Sequence, residues 1–362
     1  MIRRGALATL ATLLCVALVL AQHPKNVILM IGDGMGVAQV TAGRTHKGSL
    51  ELEQFPAGGL AVTHAAGDDY ITDSAAGATA YASGVKTSNG MLGMKPDKTR
   101  VTTVAELAAS LGKRTGIVAT CSVTHATPAA FLAHVESRGS QFDIAEQIAA
   151  ADVNVLLGGG WGWFLPTGAG GRRTDAKDLL AEMRTKGFTS VSTPQEFEQL
   201  DLAHTEKLVG LFADNHVGPA PDRNPSLSDM TAAALSVLER SEEGFFLMVE
   251  GSQIDWASHE NKSDETAAEM ADFDDAVGIA RRFAERDGST LVVVTADHET
   301  GGYAIVGGSL KDSTVTGKFS TGGHTATMVP LFSFGPGAEQ FSGILENAEI
   351  GKRLQAVVRG TP

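Results

Sequence analysis

Four short apolar runs constrain this chain more than anything else in it: Asn26 to Ile31, Thr115 to Thr120, Gly244 to Val249 and Ser289 to Thr295. None alternates apolar with polar residues, and none is long enough for an independent buried helix, so each suits a strand covered on both faces. Stretches with helical spacing separate them, at Thr99 to Leu111, Leu227 to Arg240 and Thr266 to Glu285. Parallel strands need crossovers of this kind. The alternation therefore specifies an α/β fold, a three-layer α/β/α sandwich around a central, mostly parallel sheet. Ala151 to Gly160 reads as a further strand, and the text from there to about Ser228 as loops and helices. Near the end, a two-stranded excursion precedes a last strand, Val329 to Phe334, and a terminal helix.

The 362 residues are 43% hydrophobic, enough for a large core. Arg3 and Arg4, the apolar run Ala6 to Leu20 and the small-residue signal Val19-Leu20-Ala21 read as a secretory signal peptide over residues 1–21. A twin-arginine signal and a lipidation site at Cys15 are the lesser alternatives. Residues 22–362 are then expected to form one catalytic domain, periplasmic or secreted. Removing the leader takes away two arginines and no acids, so the net charge of −13 becomes more negative still. That surface disfavours nucleic-acid backbones, and an anionic substrate would need local cations. Cys121 is then left without an intramolecular partner and sits in an apolar run, which suits a small core residue.

Unusual polar residues cluster where the apolar runs end. Asp33 follows the first; His125 and Thr127 follow the second; Glu250, with Asp255 and His259, follows the third; Asp297 and His298 follow the fourth. His324 stands just before the last strand. In open α/β sheets, ligands bind outside these carboxyl ends. Gly32-Asp33-Gly34-Met35-Gly36 superficially suits a dinucleotide turn, but its third glycine comes one residue early and Asp33 would face a pyrophosphate with a carboxylate. A metal suits Asp33 better. Three aspartates and three histidines match zinc, whereas Asp, Glu and Thr oxygens match magnesium. The remaining histidines, His23, His46, His64, His134, His204 and His216, lack this context and are set aside.

Thr72-Asp73-Ser74 precedes a run of very small residues that reads as a helix, capped by Thr72 or Asp73. Ser74 would then meet free backbone N–H groups and the positive helix end, the setting of a candidate nucleophile; a plain capping role is the alternative. A second helix is predicted from a Thr127 cap and Pro128 through to Arg138, whose charge could simply complement the helix dipole.

Asp33-Gly34-Met35-Gly36, Thr72-Asp73-Ser74-Ala75-Ala76, Glu250-Gly251 with Asp255 and His259, Thr295-Ala296-Asp297-His298-Glu299-Thr300-Gly301-Gly302 and Gly323-His324-Thr325 closely resemble alkaline phosphatase, in the same order, from about Asn26 to the C-terminus. The resemblance implies a phosphomonoester hydrolase active at alkaline pH, with two zinc ions and one magnesium, usually a homodimer. It implies that Ser74 is phosphorylated during turnover and that Arg138 clamps two phosphate oxygens. It further implies that Asp255, His259 and His324 bind one zinc, that Asp33, Asp297 and His298 bind the other, and that Asp33, Thr127 and Glu250 hold magnesium.

Two positions depart from the enterobacterial pattern: His125 and Trp256 stand where that enzyme has an aspartate and a lysine beside the phosphate and third metal. His125 could shift that site towards zinc or cobalt, and Trp256 either lines the substrate site or packs beside it. The short link from His298 to His324 leaves little room for an added subdomain. Rival readings are a phosphodiesterase, sulfatase or phosphomutase on the same scaffold, or a secreted binding protein without turnover. Arg138 and the Asp73-Ser74-Ala75 nucleophile favour the monoesterase.

Overall fold

The computed structural model describes residues 23–361, so the leader read over Met1 to Ala21 lies outside the described residues. In chain order the strands are β1 (Asn26–Gly32), β2 (Ala57–Val62), β3 (Arg114–Ser122), β4 (Val155–Gly159), β5 (Phe188–Val191), β6 (Lys207–Leu211) and β7 (Phe245–Gly251). They continue as β8 (Thr290–Thr295), β9 (Glu299–Thr300), β10 (Tyr303–Ser309), β11 (Thr314–Phe319), β12 (His324–Thr325), β13 (Val329–Phe334) and β14 (Gly343–Glu346). Ten of them form one sheet, ordered β14-β2-β13-β8-β1-β7-β3-β4-β6-β5. Only β13 runs against its neighbours, pairing antiparallel with both β2 and β8.

The four apolar runs occupy the middle of this sheet as β8, β1, β7 and β3, where every residue of β1, β7 and β8 is buried. Full burial of a Leu, Val or Met side chain there contributes about 1.5–3 kcal/mol, which is why continuous apolar strands go to the centre. Helices Val37–Lys47, Leu227–Leu238 and Ser263–Asp287 group on one side, and Ser74–Ser83, Val104–Ser110 and Asn347–Arg359 on the other. Members of both groups touch β1, β3 and β7, so the two groups cover opposite faces. The expected three-layer architecture is what the chain adopts.

Parallel register then sets the position of the site. Ile31 lies level with Glu250 on one side and Thr295 on the other. The residues immediately after these, including Asp33 and Asp297, emerge together along one edge. Two glycines permit the close approach that follows. Gly34 has φ +73°, and a Cβ there would stand 2.7 Å from the Asp255 Cα. Gly77, inside the helix Ser74–Ser83, lets that helix lie against Asp297, whose carbonyl oxygen would be 3.0 Å from an added Cβ.

Candidate active site

Ser74 is the first residue of a fully buried, small-residue helix capped by Asp73, whose Oδ1 accepts from the Ala76 N–H at 3.0 Å. The other oxygen of Asp73 accepts from the Gly90 N–H at 3.0 Å and from Arg138 Nη1 at 3.1 Å. One carboxylate thus joins the serine helix, the loop after it and the guanidinium. His125 Nε2 lies 3.2 Å from Arg138 Nη2. A guanidinium only donates, so this nitrogen accepts and the proton of a neutral His125 sits on Nδ1.

Arg138 is not in the last turn of a helix, as its spacing had predicted. The helix there covers only Ala126–Ala129, and the residue in the cap position is His125 instead of Thr127. Beyond it Phe131 buries against Phe246 at 6.0 Å, and Leu92 pairs through its backbone with Val135. These long-range contacts outweigh the helix propensity of this alanine-containing segment, because tertiary context routinely overrides propensity. They deliver Arg138 to the loop at Gly90, where its backbone N–H donates to the Gly90 carbonyl at 2.7 Å.

Asp255, His259 and His324 come together. His259 Nδ1 is 2.7 Å from the Gly322 carbonyl, and His324 Nδ1 is 2.9 Å from the Thr72 carbonyl. Carbonyls only accept, so both protons sit on Nδ1 and both Nε2 lone pairs are free in the neutral rings. Yet those two Nε2 atoms face each other at 3.1 Å, and they lie 3.2 and 3.6 Å from the Asp255 carboxylate. Lone pairs directed at one another and at an anion require a cation between them. The spacings match the edge of a tetrahedron around zinc, roughly 3.3 Å for bonds near 2.0–2.1 Å. Without that cation a proton takes its place, and the hydrogen bond that His259 donates to Asp255 lifts its pKa to about 9.

Asp33, Asp297 and His298 show the same pattern beside the serine. Thr300 Oγ1 donates to Asp255 Oδ1 and lies 3.2 Å from His298 Nδ1, so Nδ1 carries the proton there too. His298 Nε2 consequently turns a lone pair towards Asp297 Oδ2 at 3.3 Å, Asp33 Oδ1 at 3.6 Å and Ser74 Oγ at 3.3 Å. The His298 ring stacks on His324 with centroids 3.5 Å apart. Burial above all pushes His298 down to about 3.

The oxygens of a third cluster are orphaned. Both oxygens of Asp33, Thr127 Oγ1, Glu250 Oε1 and Asp297 Oδ2 are buried without a hydrogen-bond partner, and His125 Nδ1 joins them. Burial raises Asp33 far above the ordinary carboxylate range, with Asp297 adding to it, and lifts Glu250 to about 7 and Asp297 to about 6. Buried carboxylates in such a group are costly unless cations neutralise them. The donor chemistry therefore fits zinc at the two histidine clusters and a hard, oxygen-seeking cation at Asp33, Thr127 and Glu250.

A family model described as alkaline phosphatase matches residues 24–318. This chain belongs to the alkaline phosphatase family. Alkaline phosphatase 4 of Bacillus subtilis is 42% identical over 299 residues, spanning 78% of this chain; the match covers 62% of the Bacillus protein's length. Alkaline phosphatase of Escherichia coli is 32% identical, with 92% of this chain and 86% of that one covered. The structure of alkaline phosphatase from the Antarctic bacterium TAB5 superposes with a TM-score of 0.86 at 40% identity, covering 94% of this chain and 99% of the other. A variant of the TAB5 enzyme with a histidine replaced by aspartate has been described with magnesium bound in its M3 site.

Two further residues lie at this site, one as expected and one not. Cys121 is buried and free, as its apolar context suggested, and its Sγ donates to Glu250 Oε2 at 3.2 Å. His216 had been set aside, but the loop after β6 brings it to the site. Its ring lies 4.5 Å from Trp256 and 5.7 Å from His125, and those two rings are 6.0 Å apart. No motif marked His216, because β6 itself was hidden in a stretch read as loops and helices. Among the described residues, no helix is long and apolar enough to cross a membrane.

Proposed function

We propose that this protein hydrolyses phosphate monoesters to an alcohol and inorganic phosphate in two displacements through Ser74. The observation that carries this reading is a buried serine hydroxyl at a helix N-terminus that meets the His298 lone pair at 3.3 Å, with the facing His259 and His324 lone pairs and a set of orphaned carboxylate oxygens beside it. In this proposal Asp255, His259 and His324 hold one zinc, Asp33, Asp297 and His298 a second, and Asp33, Thr127 and Glu250 a magnesium. When bound, these ions supply Lewis acidity that stabilises the serine alkoxide and the leaving oxygen.

The chain's own groups do the rest. Ser74 Oγ attacks phosphorus, forming a phosphoserine as the leaving oxygen departs; a water molecule then cleaves that ester and restores the serine. The helix N-terminus favours both the alkoxide and the phosphoryl charge. Arg138 presents a planar fork to two non-bridging oxygens, oriented by Asp73 on one nitrogen and His125 on the other. Two such oxygens beside the metals suit a terminal phosphoryl group better than a diester. Because His125 Nε2 accepts from Arg138, its Nδ1 keeps a proton and is a poor ligand as it stands. That supports magnesium on Asp33, Thr127 and Glu250, whereas the magnesium described in the TAB5 enzyme's M3 site belongs to a variant in which a histidine is replaced by aspartate. Trp256 acts here as the ring that backs His125. Export rests on the leader segment, and a homodimer on the family resemblance.

The test is hydrolysis of p-nitrophenyl phosphate at alkaline pH by the zinc- and magnesium-loaded protein, the EDTA-treated protein and Ser74→Ala. Turnover that vanishes with EDTA and with the substitution is the expected result. No turnover by the fully loaded parent would overturn the monoesterase reading.

A further inference from the structure

His216 belongs to no cluster of possible ligands, and its place in the site follows from the chain's own hydrogen bonds. Its Nδ1 lies 3.0 Å from the backbone N–H of Ser122, the last residue of β3. An amide N–H only donates, so Nδ1 accepts and the single proton of the neutral ring sits on Nε2. This bond fixes the ring relative to the end of β3, three residues ahead of His125. The loop that carries it is pinned on both sides. Gln253 Nε2 donates to the Thr120 and Val217 carbonyls, each at 2.8 Å, and the Gly160 N–H donates to the Ala213 carbonyl at 2.9 Å. Gly159 lies so close that a Cβ on it would stand 2.2 Å from the Asn215 carbonyl oxygen.

From this fixed base the His216 ring meets His125 edge to face, with planes at 88° and centroids 5.7 Å apart. It meets Trp256 at 4.5 Å and 66°, while His125 and Trp256 meet at 85°. Each of the three rings therefore abuts the other two. Such a set leaves His125 little freedom to rotate, because turning one ring drives its edge into a neighbour. The orientation so imposed is the one that points His125 Nε2 at Arg138 Nη2.

We infer that His216 is a positioning residue for phosphate recognition: anchored on the Ser122 amide, it holds the His125 ring in the orientation that aims the Arg138 guanidinium. This inference rests on the proposal that Arg138 binds the phosphoryl group. His216 itself touches no reacting atom in this scheme; its effect passes through His125. Removing it frees His125 to turn, misaligns one hydrogen bond to the guanidinium and weakens phosphate binding. The metal-dependent chemistry at Ser74 is left intact.

The experiment compares the metal-loaded parent with His216→Ala, His216→Asn, His125→Ala, the double variant His125→Ala/His216→Ala, and Arg138→Ala. KM and kcat for p-nitrophenyl phosphate and the inhibition constant of inorganic phosphate are read for each. His216→Ala should raise KM and the phosphate inhibition constant by roughly fivefold, the worth of one misaligned neutral hydrogen bond, with kcat changed less than twofold. His216→Asn, whose amide oxygen can still accept from Ser122, should recover part of the loss, and it serves as the main probe if the alanine variant melts early. The double variant should bind phosphate no worse than His125→Ala alone. Unchanged phosphate inhibition in both His216 variants, or additive losses in the double variant, would overturn the inference. Unchanged inhibition in Arg138→Ala would instead overturn the clamp reading on which it rests.

Discussion

Replacing Gly34 with alanine separates two costs that the structure places on one residue. Gly34 is buried in the turn after β1 with φ +73°, and the added Cβ would stand 2.7 Å from the Asp255 Cα and 2.9 Å from Thr300 Oγ1. The left-handed backbone alone costs about 1–2 kcal/mol for a residue with a Cβ. Crowding a packed interior adds about 1–3 kcal/mol, since the atoms met are backbone and a hydrogen-bonded hydroxyl and cannot swing aside. Gly67 provides the control, with φ +72° and open space around its would-be Cβ, so Gly67→Ala carries the backbone cost without the clash. The difference between the two variants, about 1–3 kcal/mol, corresponds to roughly 2–6 °C in melting temperature, at about 2 °C per kcal/mol for a large domain. The clash also has a direction. It pushes on Asp255 and on Thr300, whose hydroxyl bridges Asp255 and His298. Displaced supports of ligands typically cost about 10–100-fold in metal affinity, so zinc affinity should fall in Gly34→Ala and hold in Gly67→Ala. Calorimetric melting and zinc titration against a competing chelator measure both. Equal melting temperatures for the two variants would refute the steric account, and a melting loss with unchanged zinc affinity would refute the coupling of this turn to the site.

Two further outcomes follow from the electrostatics. In metal-free protein the folded Asp33, Asp297 and Glu250 hold protons to higher pH than their unfolded counterparts, whose ordinary values are 3.8 and 4.5. The folded state then binds more protons across that window, so stability falls as pH rises through it, up to about 6 for Asp297 and about 7 for Glu250. The urea midpoint of EDTA-treated protein should be lower at about pH 8 than at about pH 5.5, and metal loading should remove most of the loss; an apo midpoint that holds or rises with pH contradicts this. Asp73→Asn keeps an oxygen for the helix cap but turns an amide N–H₂ towards the Gly90 N–H and Arg138 Nη1. Phosphate inhibition should weaken about tenfold, the worth of a charge-assisted hydrogen bond; inhibition equal to the parent's would show that Asp73 does not hold the clamp.

The central strands were legible because their signal is local. Continuous apolar character over five to seven residues has one good home, the middle of a covered parallel sheet, and β1, β3, β7 and β8 lie there. Their polar ends were legible for the same reason, since in this architecture the chemistry gathers at carboxyl ends. The short strands β5 and β6, and β2 and β14 at the far edge, carry no comparable pattern; their pairing and order depend on partners distant in the chain. The antiparallel direction of β13 is likewise a matter of which neighbours it meets. Arg138 was misplaced on a helix because local spacing suggested one, whereas the burial of Phe131 and the pairing of Leu92 with Val135 end it at Ala129. His216 was invisible because nothing near it in the chain distinguishes it from a surface histidine. What residue types stand at the strand ends was therefore written in the sequence. Which atoms confront one another, lone pair against lone pair at Asp255 and ring against ring around His125, was decided only when the tertiary contacts fixed each side chain's orientation, because a hydrogen bond's direction is set by a partner that the local sequence does not contain.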